Sequence, residues 1–467
     1  MEKQNKMGVM PVPKLVITMA LPLMLSLLVQ SLYNIVDGIF VGRISEEAFA
    51  ATSLAYPMQL MMVAVSVGTG VGVNAAVSRM VGAKRYEEAN RAATTGLILS
   101  VISCLFFMVF GGFFLRLYIR GCSGSESSLA MCESYLRICT LFSLGIFLEI
   151  LGQRLLQAVG NTFLSMISLV VGAVTNIILA PVLIFECNMG IEGAAIATVI
   201  GQCVGAAVAL GLNAATNHEV RLTFRGFRMT RETVWSIYKV GLPTVLTQAM
   251  GAVMLFSMNA ILGALLPGLT AAGTAVSAPA IAFYGAYNKL QNFLYMPMHG
   301  LGQATIPIVG FNYGAKNAGR IRQVLRTAVP VAAAVAVLGT ILFEWIPGPL
   351  LRILSASEEA LAIGIPGLRI IAVTFLLGAV TTVLGYACSG LGSGMVNMVG
   401  TCLRQFLPLV PLAFLFGKLG GTGSIWYAMW ISEALAVLYA VLSARKLFLK
   451  ELAPLDSVRG QDEVRRK

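Results

Sequence analysis

The sequence predicts an all-α polytopic membrane protein, with twelve transmembrane helices in two six-helix lobes related by a parallel pseudo-two-fold repeat. Three observations carry that prediction. Of the 467 residues, 57% are hydrophobic and only 12% are charged, with a mean hydropathy of +0.82; soluble domains average about 25% charged residues. Apolar runs fall near 14–41, 48–79, 91–118, 127–157, 162–186, 191–215, 233–265, 273–310, 324–347, 358–390, 394–417 and 423–445. About 20 apolar residues at a rise of 1.5 Å cross roughly 30 Å of hydrocarbon. The third observation is that the second half of the chain repeats the first.

The first run, KLVITMALPLMLSLLVQSLYNIVDGIFVG at 14–42, organises the functional argument. Residues 1–13 are short and polar, and the run is too long for the apolar core of a signal peptide, so it is expected to remain as an uncleaved first span. It carries Pro22 and one carboxylate, Asp37. Tyr33 and Asn34 lie one helical turn before Asp37 and Gln30 lies two turns before, so the four share a face. A carboxylate at helix centre costs about 2.5–3.5 kcal/mol on insertion scales and should face protein or a wet cavity. Either Asp37 reaches water near the helix end or holds a neighbouring helix, or it is an ion or proton site. The polar stripe beneath it would be redundant for anchoring, which favours the second reading.

Basic residues sort the connections into two sides. With the N-terminus inside, the cytoplasmic side collects 22 Lys and Arg, and the opposite side 5, namely Arg43, Arg116, Arg120, Arg352 and Lys418. This is the positive-inside pattern, with both termini cytoplasmic. It accounts for the net charge of +12 without nucleic acid as a partner. The chain then divides into an N-lobe at 1–216 (helices 1–6), a basic cytoplasmic linker at 217–232, a C-lobe at 233–450 (helices 7–12) and a cytoplasmic tail at 451–467. The tail is charged and is expected to be loosely ordered.

The repeat is read from ordered matches. Ala20-Leu21-Pro22 matches Gly241-Leu242-Pro243 at a shift of 221, and Gly42 matches Gly263 at the same shift. At a shift of 232, Gln59 pairs with Gln291, Gly68 with Gly300, Gly70 with Gly302, Gly82-Ala83-Lys84 with Gly314-Ala315-Lys316, and Gly160 with Gly392. Six spans per half is even, so both halves enter from one side and form parallel repeats about an axis along the membrane normal. Prolines inside spans bend helices where neighbours or water satisfy the freed carbonyls. Pro22, Pro243, Pro297 and Gly300 are the hinge candidates, and span 8, with Pro279, Pro297 and Pro307 beside Gly300 and Gly302, is expected to be deformable.

The eight cysteines show no paired spacing, and only Cys122 with Cys132 could bridge on the outer side. With two histidines, no His-based metal cluster is expected. No catalytic constellation, metal-ligand cluster or GxxxxGK[ST] phosphate loop is present, which argues against an enzyme and against direct ATP coupling. Among the remaining charges in spans, Lys289 either lines a C-lobe cavity with Gln291 and Asn292 or pairs structurally with Glu433. Arg404-Gln405 is expected to snorkel to an interface, and Glu149 and Arg137 are expected to be structural.

Several strings resemble the multidrug and toxic compound extrusion (MATE) family, in its bacterial MepA-like and DinF-like type. They are YNIVDGIFVG, the GAK tripeptides after spans 2 and 8, QAVGNT after span 4, GIEGAAIAT opening span 6 and PIVGFNYGAK closing span 8. The resemblance covers roughly residues 14–450 in register. It implies a secondary antiporter in a bacterial inner membrane that exchanges inward H⁺ or Na⁺ for outward organic cations and drugs. Two lobes would form a V around a central cavity and operate by alternating access. A lipid-linked precursor flippase of the same superfamily is the alternative, and would be expected to show a basic central cavity. Small-molecule drugs and the lipid bilayer are the implied partners, with no cofactor beyond the coupling ion and a monomeric state.

Carried over residue by residue, the resemblance places the N-lobe cation site on Asp37, Asn176 and Thr198. The family pattern adds an acid one turn after the asparagine, where this chain has Ala180 before Pro181. Hard cations want several oxygens with enough negative charge, and here the set supplies one formal charge. Desolvation disfavours the charged form of a lone carboxylate, so proton exchange at Asp37 is favoured over Na⁺. In the C-lobe some members carry a glutamate in span 7, where this chain offers Gln248 and Asn259. The remaining cavity candidates are Tyr56, Gln59, Met61, Phe283, Tyr284, Tyr287, Phe293 and Met296, since rings and adaptable Met side chains suit flat cationic ligands.

Overall fold

The computed structural model describes residues 5–224, 227–265, 278–354, 357–421 and 423–465, with side chains described as far as residue 455. Lys3, Arg225, the start of the eighth run at 273–277 and the basic side chains beyond 455 lie outside the described residues. The apolar runs are helical: α1 (Val12–Gly42), α2 (Glu46–Gly82), α3 (Tyr86–Arg120), α4 (Glu126–Leu141 with Leu144–Ala158), α5 (Thr162–Glu186), α6 (Gly190–Thr216), α7 (Arg231–Leu265), α8 (Ala278–Gly314), α9 (Ala318–Trp345), α10 (Glu358–Ala372 with Thr374–Gly390), α11 (Gly394–Gly420) and α12 (Tyr427–Arg465). Among the described residues nine of these are individually long and apolar enough to cross a bilayer, and α4 and α10 qualify as bent pairs. α8 is as long but falls short in hydropathy, because it carries Asn288, Lys289, Gln291, Asn292, His299 and Gln303.

The repeat is written into the backbone. α2 and α8 end 232 positions apart, at Gly82 and Gly314. Lys84 and Lys316, which close the two GAK tripeptides, sit in the left-handed region at φ 58° and 56°. Gly160 and Gly392 do so at φ 91° and 90°, a conformation that glycine adopts without steric cost. The two breaks also correspond: α4 bends by 49° around Phe142–Ser143 and α10 bends by 49° at Val373. Neither break has a proline at the bend. Proline acts instead at Pro181, after which α5 widens into a π-turn over Val182–Glu186.

The proline-rich α8 runs without a break from Ala278 to Gly314. The tail expectation is corrected: α12 continues through Pro454 to Arg465, because Leu449-Lys450-Glu451-Leu452-Ala453 ahead of the proline are strong helix formers. Cys122 and Cys132 form no bridge, and every cysteine is free.

The chain folds as two compact units, Met1–Val245 with Pro307–Lys316, and Leu246–Ile306 with Asn317–Lys467. Within the first, glycines allow helix backbones to meet. A Cβ on Gly82 would run into the Phe311 carbonyl, and one on Gly314 into the Arg79 carbonyl. Backbone atoms cannot rotate away, so Gly82→Ala should destabilise the protein by about 1–3 kcal/mol. Thermal melting of the purified protein checks this, and an unchanged midpoint would contradict the close approach.

The first part of the linker, at residues 219–223, is tied to the helices beside it. The Arg221 amide donates to Asn90 Oδ1 at 2.7 Å and the Thr223 amide to Thr94 Oγ1 at 3.2 Å, both on α3. Asn5 Nδ2 donates to Glu219 Oε2 at 2.6 Å and to the Val159 carbonyl at 3.2 Å. Burial pushes the Glu219 carboxyl up from its ordinary range, and the Asn5 hydrogen bond draws it back.

Candidate functional site

In the first unit α1 passes through Pro22 as one helix and presents its polar face near its C-terminal end. The Ser26 hydroxyl donates to the Pro22 carbonyl at 2.8 Å, which satisfies an acceptor near the proline. Gln30 and Asn34 are exposed, and Tyr33 and Asp37 are half-buried. Asp37 Oδ1 is itself buried and accepts no hydrogen bond, and no ion pair reaches the carboxyl among the described residues. In a span, such a group calls for a ligand, a proton or water.

α5 and α6 supply the other two predicted residues. Asn176, 2% exposed, donates from Nδ2 to Thr198 Oγ1 at 3.1 Å, and the Thr198 hydroxyl donates to the Ala194 carbonyl at 3.0 Å. Asn176 therefore uses its donor on Thr198 and keeps its carbonyl oxygen. Tyr33 stands beside Thr198 and within the field of Asp37, which links the α1 face to the α5–α6 pair. Ala180 is fully buried in an apolar cluster with Ile184, Ala194 and Ala197, so no charged group occupies the next turn. α4 adds a residue the sequence argument did not single out: the Tyr135 hydroxyl accepts from Gln59 Nε2 at 3.1 Å and lies within the field of Asp37. Tyr56 and Met61 are exposed on α2.

The second unit holds a different arrangement. A small cavity of about 10 Å³, room for a single water, has Tyr287, Gln291, Thr374, Arg404, Gln405 and Glu433 in its lining. Two expectations are corrected here. Arg404 does not snorkel to an interface: its side chain is 12% exposed, its Nε lies 3.6 Å from Glu433 Oε1, and its guanidinium stands 5.0 Å over the Tyr295 ring. The partner of Glu433 is therefore Arg404 from α11, not Lys289, which is exposed. Glu433 Oε2 and Gln405 Oε1 are buried without partners. The signal for this pair was in the sequence, as two opposite charges in adjacent apolar runs, but spacing alone could not choose between Lys289 and Arg404.

Phe283 and Tyr284 are fully buried and pack against Trp426, with ring centroids 4.9 and 6.3 Å away. Tyr287 is buried beside them but reaches the cavity. Gln248 and Phe293 are exposed, and Met296, Pro297 and Asn259 are half-buried. Pro243 and Gly300 are buried inside α7 and α8.

Comparison with known proteins follows this geometry. The MatE family model matches residues 22–182 and 243–415, one block in each half of the repeat. The multidrug export protein MepA of Staphylococcus aureus is 24% identical over 438 residues, covering 92% of this chain and 93% of that protein. Its counterpart in Staphylococcus haemolyticus is 24% identical over 452 residues, covering 94% and 95%. Among solved structures, an outward-facing multidrug resistance MATE transporter of the MOP superfamily superposes with a TM-score of 0.87 at 24% identity, covering 97% and 99% of the two chains. A MATE transporter in the bent conformation gives 0.88 at 23% identity, covering 98% and 99%. With a family model spanning both halves of a twelve-helix duplicated fold, the chain belongs to the MatE family.

Proposed function

We propose that this protein exports organic cations and other drugs across a bacterial cytoplasmic membrane in exchange for inward H⁺, by alternating access, with both termini cytoplasmic. The observation that carries the coupling role is Asp37, a spanning carboxyl with a buried, unpartnered oxygen and no countercharge, linked through Tyr33 to the Asn176–Thr198 pair. The drug-export reading rests on family membership and on the activity named for the MepA relatives. One formal charge at Asp37, with Ala180 in the next turn of α5, supports H⁺ over Na⁺ as the coupling ion. The flippase alternative is weakened, since Glu433 neutralises the buried Arg404 and Lys289 is exposed.

The test is dye efflux from everted vesicles with ΔpH or ΔNa⁺ imposed separately. Efflux driven by ΔpH alone is expected, and transport that responds only to ΔNa⁺ would overturn the choice of ion. Ala180→Asp should raise Na⁺ dependence by adding the second charge that a hard cation requires. A Na⁺ titration of transport by a folded variant, flat like that of the parent, would count against this account of the site.

A further inference from the structure

Glu149 lies on the second segment of α4, in the middle of the run Leu144–Ala158. Its carboxyl is set into the seam between α5 and α6. A methyl group on Gly205 would stand 2.6 Å from Glu149 Oε1, and one on Gly172 would stand 3.4 Å away. Those glycines are one turn from Asn176 along α5 and about two turns from Thr198 along α6. The seam itself is tight, because a Cβ on Gly201 would meet the Gly172 carbonyl at 2.8 Å and Asn176 Cβ at 3.0 Å. Two helices that exclude side chains at this level thus make room for one carboxyl.

The partners of that carboxyl do not match a structural ion pair. Among the described residues its one hydrogen bond is from Gln153 Nε2, a neutral amide one turn on, at 3.1 Å. No lysine, arginine or histidine pairs with it among the described residues. The titratable groups facing it are Tyr33 of α1 and Cys203 of α6; α5 carries no titratable side chain within two turns of Gly172. Tyr33 lies in the field of both Glu149 and Asp37 and stands beside the Thr198 hydroxyl. A spanning carboxyl without a countercharge is stable there chiefly as the neutral acid, and becomes an anion only while a proton is on another group.

We propose that Glu149 is a second proton-carrying group of the first unit, exchanging a proton with Asp37 by way of the Tyr33 and Thr198 hydroxyls. In that transfer an O–H bond at Asp37 breaks and one at Glu149 forms. Asp37 becomes the carboxylate, Glu149 the acid, and the charge of the pair is unchanged. The inference rests on the coupling role given to Asp37 above, and its test separates the two.

Infrared difference spectra of the full-length protein in lipid, titrated with pH, report protonated carboxyls directly through their C=O stretch. Loss of one carboxylic-acid band in Glu149→Gln, with the Asp37 band (assigned by its loss in Asp37→Asn) changed in its pH profile, is the expected result. Gly205→Ala leaves the acid in place but crowds it, and should shift the frequency of the same band. ΔpH-driven dye transport by Glu149→Gln should fall at least tenfold, while dye–dye exchange without a gradient persists. An infrared spectrum unchanged by Glu149→Gln overturns the proposal. Undiminished transport by Asp37→Asn would instead overturn the coupling role, whatever the Glu149 band does.

Discussion

Asp37→Asn should reduce gradient-driven export to background while leaving the protein folded in the membrane. The substitution keeps the volume and shape of the side chain but removes its ability to ionise, so no cation or proton can be loaded and released there. Folding should be spared, because Asp37 makes no ion pair that would be broken and one of its oxygens already lacks a hydrogen bond. The measurement is dye efflux under an imposed pH gradient, normalised to the amount of protein in the vesicles. Transport at the parent's rate would mean that Asp37 has no part in coupling.

Arg404→Ala should be the most destabilising single change in the second unit. The Arg404–Glu433 pair joins α11 to α12 with side-chain exposures of 12% and 6%. Truncating the arginine strands Glu433 as a buried charge, also removes the cation from over Tyr295, and leaves a cavity; breaking such a pair costs about 3–5 kcal/mol. The cost belongs to the stranded charge rather than to the pair itself. Arg404→Met combined with Glu433→Gln, which keeps volume and removes both charges, should therefore recover most of the loss. Thermal unfolding of the three proteins distinguishes these cases. If the double variant melts as low as Arg404→Ala, packing rather than charge is what the arginine supplies.

The twelve crossings and the duplication were legible because they depend on quantities a sequence carries directly: hydropathy over about 20 residues, and the order of glycines. Gly160 with Gly392 and Lys84 with Lys316 turned out to share left-handed backbone geometry as well as spacing. The 49° bends in α4 and α10 were not legible, because Phe142, Ser143 and Val373 are not helix breakers. Their correspondence across the repeat marks them as tertiary in origin. The Asp37 face was readable from helical periodicity, whereas Asn176 and Thr198 came only from a family resemblance; the hydrogen bond between them spans two helices and leaves no local trace. Glu149 carried the same signal as Asp37, an acid inside an apolar run, and its glycine cradle on two other helices is visible only in three dimensions.

The duplicated halves share a backbone plan but hold their embedded acids differently. Glu433 sits against a guanidinium, so an electric field across the bilayer exerts almost no net force on that pair. An ionised Asp37 has no such compensation, and moving one elementary charge through the full field is worth about 2.3 kcal/mol per 100 mV. The response of this protein to membrane voltage should therefore draw on Asp37 in its first six helices and not on the Glu433–Arg404 pair.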